Sequence, residues 1–284
     1  MLPEQMIATT AGTGFPAYEL AISNIAFPAG QLDAGLDLLA ELNVGAIELA
    51  PYNIFGRWDV ARSDVDALRK QLDARGIRCR ALQGIVFKAG AAHLFASAEQ
   101  RDLLYQHLRT VAEMAGILGA SACVFGAPQL RDPGDMAPHQ AHAVAVASLR
   151  QIGPMFASAG TTLSFEPNST RYGCRFVTTT SEAVGLVRDA DCSGIAVQID
   201  TGTAILEHES PEVVASAIPY AAHAHISEPD LAPVGSAGCD HRPWSEALRS
   251  GGYAGALSIE MRQVDDWQDA LRRAVTFARD IYWP

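Results

Sequence analysis

The chain has 284 residues and a mass of 30.2 kDa, close to the ~250 residues typical of one α/β barrel. Its residues are 49% hydrophobic and 19% charged, a globular composition that excludes a disordered protein. With a net charge of −11 at pH 7 and no dense cluster of Lys and Arg, we expect no nucleic-acid partner, because an acidic protein repels a phosphate backbone.

The cysteines and the apolar segments indicate the compartment. The five cysteines are odd in number and form no CxxC pair, which indicates reduced thiols. No apolar run approaches the ~20 residues that span a bilayer, and the first residues lack a basic region followed by an apolar core. We therefore expect a cytoplasmic protein with no membrane partner.

Predicted strands alternate with predicted helices along the chain. Eight apolar segments, beginning at residues 21, 46, 78, 122, 162, 195, 222 and 256, read AISNIAF, AIELA, RCRALQGIVF, ACVFGAP, TLSFEP, IAVQIDTG, AHAHISE and ALSIEM. Helical spacing of apolar residues is found over 32–43, 65–76, 101–119, 139–160, 180–190, 244–252 and 267–280. Continuous apolar strands separated by helices indicate a parallel sheet with right-handed crossovers.

Eight such units predict an α/β fold with a single (β/α)8 TIM barrel over residues 1–284. The alternative, a doubly wound open sheet, usually carries a glycine-rich phosphate loop after its first strand, and this chain has no GxGxxG or GxxxxGK[ST] motif. The segment APQLRDPGDMAPH, 127–139, is predicted to be a long loop at the active-site end of the barrel, where it could act as a lid.

Four consecutive predicted strands end in a residue that can bind a metal, and barrel active sites form at those ends. These residues are Glu166, Asp200, His225 and Glu260. Three neighbouring carboxylates would repel one another unless a cation neutralised them, and one imidazole completes a shell suited to Mn, Mg, Co or Zn. We predict one divalent metal ion on these four residues and favour Mn.

The segments around these residues resemble the xylose isomerase-like TIM-barrel superfamily of sugar phosphate isomerases and epimerases. The motifs that carry the resemblance are AIELAP (46–51), LSFEPN (163–168), QIDTG (198–202), HAHISEPD (223–230) and GYAGALSIEM (252–261). Among the members of this superfamily are ketose 3-epimerases, inosose isomerases and dehydratases, and hydroxypyruvate isomerases. By this resemblance the four residues match the metal ligands, and Glu166 and Glu260 are also the catalytic residues.

The resemblance implies proton transfer on a keto sugar or cyclitol through an enediolate. Metal chelation of the ketone and a neighbouring hydroxyl acidifies the adjacent C–H, so that a carboxylate can act as a base. Two glutamates on opposite faces would epimerise the carbon, whereas one that removes and returns the proton would isomerise an aldose and a ketose. Loss of a β-hydroxyl would instead make the protein a dehydratase of a keto-polyol or shikimate-type ring.

The sequence departs from the 3-epimerases at two positions. Those enzymes tend to have a substrate-facing His where this chain has Thr203, and a substrate-binding Arg where it has Leu231. We therefore expect a different pocket, in which Thr203 faces the substrate and His241 and Arg242 replace the lost contacts. For His241, a structural hydrogen bond within its loop is the alternative.

Further candidates lie near the strand ends. Glu48 is predicted to bind a substrate hydroxyl or to pair with an arginine, while Asn168 and Tyr172, in the loop EPNSTRYG, are predicted to orient Glu166 or the substrate, or simply to build a turn. Trp58, Phe15 and Phe87 are candidates for an apolar wall or for ordinary packing. His223 is predicted to be a buried histidine on the same side of its strand as His225, or a group that supports it.

Other functions in the same superfamily remain open at this point. The apurinic endonuclease branch needs more histidines and a basic surface, and the charge of this chain counts against it. A non-catalytic sugar- or metal-binding protein is the remaining class. We expect a small sugar-like substrate as the partner, and the family makes a homodimer or homotetramer plausible.

Overall fold

The computed structural model describes residues 18–284. Eight parallel strands pair in chain order, and the first pairs with the last to close a barrel. The predicted (β/α)8 barrel is therefore confirmed. That residues 1–284 form one domain remains a prediction.

The barrel strands occupy the positions of the eight apolar segments. They are β1 (Glu19–Ser23), β2 (Ala46–Leu49), β3 (Arg78–Leu82), β4 (Ala122–Phe125), β5 (Thr162–Phe165), β6 (Ile195–Asp200), β7 (Ala221–Ile226) and β8 (Ala256–Ile259). The helices of the described residues are α1 (Leu32–Glu41), α2 (Pro51–Phe55), α3 (Arg62–Asp73), α4 (Ala98–Leu118), α5 (Pro138–Ser158), α6 (Thr180–Ala190), α7 (Thr201–Leu206), α8 (Pro211–Ala217), α9 (Arg242–Ser250) and α10 (Trp267–Tyr282). None of these helices is long and apolar enough to cross a membrane.

Each of the seven segments with helical spacing overlaps a helix of the structure over most of its length, and three short helices were not predicted. The unpredicted ones are α2, α7 and α8, of five to seven residues each. So short a helix shows too few turns for its apolar spacing to be recognised. Two strands also end earlier than the apolar run, because Asn24–Ala26 form a 3-10 turn and Gly84 turns the chain with a φ of 58°.

The two sides of each strand face different surroundings. Side chains such as Ile47, Phe165 and Ile259 point outward and belong to the large apolar core between the strands and the helices. Side chains that alternate with them, such as Glu48 and Ser258, point into the barrel, and those of the inner polar residues are fully buried. The interior of the barrel is thus polar towards the end at which the strands terminate.

The predicted loop after β4 lies at that end. It includes a 3-10 turn, Pro128–Arg131, whose last side chain is buried. The loop is therefore anchored to the barrel by one of its own residues.

Candidate metal centre and substrate cleft

Four side chains from consecutive strands converge at the carboxyl end of the barrel. Each of the four offers one ligand atom, and these atoms lie within 4.8 Å of one another. The residues are the predicted set, Glu166, Asp200, His225 and Glu260, and all are buried or nearly so. The structure thus brings together every residue for which the sequence predicted a metal-binding role.

Main-chain pairing fixes the height of these side chains. Glu166 directly follows β5 and its N–H still donates to Phe125 of β4 at 3.1 Å, while Glu260 follows β8 and donates to Ile226 of β7 at 3.0 Å. Asp200 is the last residue of β6 and is paired in register with His225 of β7. The four side chains are therefore held by the barrel itself, which positions a side chain more rigidly than a loop does.

Both carboxylate oxygens of Asp200 accept hydrogen bonds. Its Oδ1 caps α7 by accepting from the N–H of Thr203 at 2.6 Å, and its Oδ2 accepts from Ser227 Oγ at 2.6 Å. Oδ2 also lies 3.6 Å from His225 Nδ1. These two donors fix the carboxylate in one orientation, with Oδ2 towards the centre of the site.

The imidazole of His225 is held from one side and unpaired on the other. Its Nε2 lies 3.0 and 3.1 Å from the two carboxylate oxygens of Glu48. Its Nδ1 lies 3.3 Å from Glu166 Oε1 and 3.3 Å from Glu260 Oε2, and it has no hydrogen-bond partner among residues 18–284. Because Glu48 can only accept when ionised, the neutral ring carries its proton on Nε2 and points the Nδ1 lone pair at carboxylate oxygens. An atom that carries positive charge is the natural occupant of such a position.

The crowding of charges shifts several pKa values. Burial raises the pKa of Glu260 to about 7, and the nearby Glu166 and Asp200 carboxylates add to this while His225 opposes it. Burial opposes ionisation of Asp200 as well, but His225, Ser227 and the Thr203 N–H outweigh it and lower its pKa. Burial also disfavours the charged form of His225, yet the Glu260 and Glu48 carboxylates raise its pKa well above the usual value. Without a cation in the site, the carboxylates therefore favour the protonated form of His225, and burial among them disfavours the charged form of Glu260.

Glu48 lies beneath the site and does not reach the substrate cleft. Its side chain is fully buried and accepts from Gln83 Nε2 at 3.3 Å and from Ser258 Oγ at 2.9 Å, in addition to His225. His223 Nε2 is 3.4 Å away. Burial opposes its ionisation, but the charges of His225 and His223 outweigh this and hold the pKa of Glu48 well below its usual range. The prediction of a substrate contact or an arginine partner for Glu48 was wrong, because the residue orients His225 instead.

Glu166 is held on the side away from His225. Asn168 Nδ2 donates to its Oε2 at 2.8 Å, which leaves Oε1 facing His225. Asn168 Oδ1 in turn accepts from Arg131 Nη2 at 2.8 Å. Of the roles predicted for Asn168, its contacts favour orientation of Glu166.

An open cleft lies above the four ligands. Two adjoining cavities of about 590 and 430 Å³ share the lining residues Ala127, Pro128, Glu166, Tyr172 and Glu260. The larger extends along the loop after β3 and is lined by Phe87 and Lys88, and the smaller extends over Thr203 and Leu231. This volume is that of a small-molecule site.

Two predicted substrate contacts lie away from the cleft. His241 is buried and its Nδ1 pairs with the Tyr282 hydroxyl at 2.8 Å, with Nε2 3.4 Å from Glu228. Arg242 has a side chain 77% exposed and pairs with Asp240 at 2.9 Å. The prediction that both replace lost substrate contacts was wrong, because the loop after β7 turns back onto α10. The alternative for His241 was a structural hydrogen bond within its loop, and the bond that the structure shows reaches α10 instead.

The remaining candidates divide between the cleft and its surroundings. Tyr172 and Thr203 line the cleft, and the Tyr172 hydroxyl accepts from the Asp230 N–H at 2.8 Å. Phe87 lines it too, whereas Trp58 packs on His107 and donates to the Phe87 carbonyl at 2.8 Å. Phe15 lies outside the described residues.

Three residues that support the site were not singled out from the sequence. Ser227 orients Asp200, Gln83 binds Glu48, and Arg131 holds Asn168. Gln83 directly follows an apolar strand, as Glu166 and Glu260 do, and that position was a usable signal. Arg131 lies in a loop, where no periodic pattern shows which way a side chain points.

The chain belongs to the xylose isomerase-like TIM barrel family, whose model matches residues 36–281. The match includes all four clustered side chains of the site. It agrees with the closed barrel and with the resemblance that the motifs carry.

Solved structures share the fold at low sequence identity. One is a D-psicose 3-epimerase in the presence of D-fructose, with a TM-score of 0.79, 18% identity and coverage of 93% of this chain and 99% of the other. A 3-keto-D-glucoside 4-epimerase from E. coli has a TM-score of 0.74 and 16% identity, with coverage of 91% of this chain and 99% of the other. An IOLI protein with a binding zinc atom has a TM-score of 0.73 and 15% identity, with coverage of 93% of this chain and 98% of the other. A search of curated proteins finds no match.

Proposed function

We propose that the chain is a divalent-metal-dependent isomerase or epimerase that acts by proton transfer on a keto sugar or cyclitol. The four residues Glu166, Asp200, His225 and Glu260 hold the ion, and Glu166 and Glu260 move the proton. The substrate lies in the cleft above them, which is large enough for a sugar.

The observation that carries the proposal is the position of His225 Nδ1. This buried nitrogen has no hydrogen-bond partner among the described residues and faces oxygens of three carboxylates at 3.3 to 3.6 Å. Oxygen and imidazole ligands in this combination suit a divalent ion such as Mn²⁺. The hydrogen bond from the other ring nitrogen to Glu48 is the usual support for a metal-binding histidine.

A divalent cation in this position would polarise the ketone and the neighbouring hydroxyl of a substrate and so acidify the C–H between them. The residues of the chain supply the rest. Glu166 is fixed by Asn168, whereas no donor among residues 18–284 hydrogen-bonds the Glu260 carboxylate. Both line the cleft. Two carboxylates beside one substrate carbon can remove a proton and return it, through an enediolate of the substrate.

The comparisons support this class of reaction. The similar structures include two proteins described as sugar epimerases and one described with a bound zinc atom. Thr203 and Leu231 line the cleft at positions where the ketose 3-epimerases tend to have His and Arg. We therefore infer a related proton transfer on a substrate whose hydroxyls are recognised by other contacts.

The test is solvent deuterium incorporation with Mn²⁺ and a panel of ketoses, keto-glycosides and ketocyclitols. We expect the wild-type protein in D₂O to place deuterium on a carbon next to the ketone. Glu166→Gln and Glu260→Gln should slow this by about 10²- to 10⁴-fold, the usual contribution of a general acid or base. Glu212→Gln, an exposed glutamate in the first turn of α8, is the matched control and should leave the rate unchanged.

Two results would contradict the proposal. Turnover at equal rates in all four proteins would show that neither glutamate moves the proton. A product that has lost water and gained an absorbing enone would show a dehydration instead of an isomerisation or epimerisation.

A further inference from the structure

Arg131 is a fully buried arginine at the edge of the candidate site. It ends the 3-10 turn of the loop after β4 and is 0% exposed. Its Nη1 donates to the Phe176 carbonyl at 2.9 Å and its Nη2 to the Glu166 carbonyl at 2.8 Å. Its guanidinium also lies 4.8 Å from the ring centre of Phe165, the last residue of β5. The residue thus joins the loop to the strand end that carries Glu166.

The second contact of Nη2 determines the orientation of Asn168. Nη2 donates to Asn168 Oδ1 at 2.8 Å, and Asn168 Nδ2 donates to Glu166 Oε2 at 2.8 Å. If the amide were flipped, its NH₂ would face the NH₂ of Arg131, and its oxygen would face the oxygen of Glu166. The arginine therefore fixes Asn168 as a donor towards Glu166.

Burying the charge of Arg131 costs more free energy than burying an apolar side chain of similar volume would. Among residues 18–284 the hydrogen bonds of the Arg131 guanidinium go to carbonyl and amide oxygens and not to a carboxylate, and its Nε has no partner there. Burying a charge without a direct counter-ion is expensive, and apolar residues of similar volume often stabilise a fold better. The contacts that offset this cost are of two kinds. Nη2 binds the Glu166 carbonyl and the Asn168 side chain, and Nη1 binds main-chain carbonyls further along the loop after β5.

The backbone of β4 leaves room for the same contacts. Gly126 follows β4, and a Cβ on it would collide with Glu166 Oε2 and lie 3.1 Å from Asn168 Oδ1. Its φ is not positive, so the glycine is needed for space and not for its backbone conformation. The strand end is therefore shaped around the pair that Arg131 orients.

We infer that Arg131 is a positioning residue for the metal site, acting through Asn168 on Glu166. With Oε2 held by Asn168, Oε1 is the oxygen left facing His225 Nδ1. Fixing a ligand before the ion binds lowers the cost of binding. This inference rests on the proposed function, because it gives a role to a residue that supports the proposed ion.

The test is titration of the purified, metal-free protein with Mn²⁺ by calorimetry, together with the melting temperature measured with and without Mn²⁺. Arg131→Met should weaken Mn²⁺ binding about 10- to 100-fold, the usual effect of losing a group that orients a ligand, and should reduce the rise in melting temperature caused by Mn²⁺. Arg131→Lys keeps the charge and one donor and should be intermediate. Arg175→Met is the matched control, because Arg175 holds the same loop through Asp132 and the Gly134 carbonyl but does not touch the site.

Asn168→Ala decides the outcome if Arg131→Met fails to fold. It removes the donor to Glu166 and leaves Arg131 its main-chain carbonyl partners, so it should weaken Mn²⁺ binding to a similar extent. The inference would be overturned if Asn168→Ala bound Mn²⁺ with the same affinity as the control Arg175→Met. The same result for a folded Arg131→Met would also overturn it. A wild-type protein that binds no Mn²⁺, Mg²⁺, Co²⁺ or Zn²⁺ would overturn the proposed function itself, so the two failures can be told apart.

Discussion

His225 is the residue around which the candidate site is arranged. One ring nitrogen donates to Glu48 inside the barrel, and the other faces three carboxylates at the cleft. The Glu48 carboxylate is in turn bound by Gln83 and Ser258. Several donors thus converge on one buried acid, and their combined effect is to hold a single tautomer of the histidine.

The role of Glu48 can be tested with Glu48→Gln. A glutamine has only one acceptor oxygen, so its NH₂ group must face one of the donors that now reach the carboxylate. We expect Mn²⁺ affinity, measured by calorimetry, to fall about 10- to 100-fold, the usual cost of losing a partner of a ligand. Ser164→Ala is the control, because Ser164 is also buried in the barrel and pairs with Gln198 rather than with a ligand. Equal affinities in the two variants would mean that Glu48 does not orient His225.

The sequence predicted that the four candidate ligands would lie together, but it was less informative about the residues around them. The ligands were recognisable because each stands at the end of an apolar strand. Glu48 stands at such an end too, but its depth depends on the stagger of the strands, and β2 changes register against β3 at Ile47 and Glu48. No residue pattern within one strand reveals that stagger. The substrate roles of His241 and Arg242 failed because the path of the loop after β7 depends on tertiary contacts with α10.

At the scale of elements, the long helices were predictable and the short ones were not. Helices α4 and α5 have 21 residues each, so their apolar spacing repeats over several turns. Helix α7 has six residues and begins directly after Asp200, whose side chain caps it. The short helix is therefore determined by the same residue that contributes to the site, which the hydrophobic pattern alone does not indicate.

Two glycines inside helices provide a matched test of packing. An added Cβ at Gly185 in α6 would have no heavy atom within 4 Å, whereas at Gly153 in α5 it would collide with the Ser193 carbonyl. We expect Gly185→Ala to raise the free energy of unfolding by about 0.5–1 kcal/mol, because alanine loses less backbone entropy. Gly153→Ala should lower it by about 1–3 kcal/mol through overpacking. Chemical denaturation measures both, and changes of the same sign would contradict the described packing of α5 against the start of β6.

At the scale of the whole molecule, closure of the barrel relates the site to the ends of the described chain. β1 pairs with both β2 and β8, and the Tyr18 hydroxyl donates to the Tyr282 carbonyl at 2.7 Å. Trp283 Nε1 donates back to the Tyr18 carbonyl at 3.1 Å. The four candidate ligands lie in β5 to β8 or directly follow these strands, so the closed barrel holds them at fixed relative positions.

The central claim is that these four residues hold one divalent ion, and metal stoichiometry tests it most directly. The measurement is elemental mass spectrometry of wild-type protein, His225→Ala and Asp200→Asn after loading with Mn²⁺ and removal of the excess. The control is His142→Ala, a surface histidine paired with Asp189 at 2.7 Å. We predict about one ion per chain in the wild type and the control, and a large loss in the two site variants, because each removes a ligand. A wild type without metal, or site variants that retain as much as His142→Ala, would contradict the account.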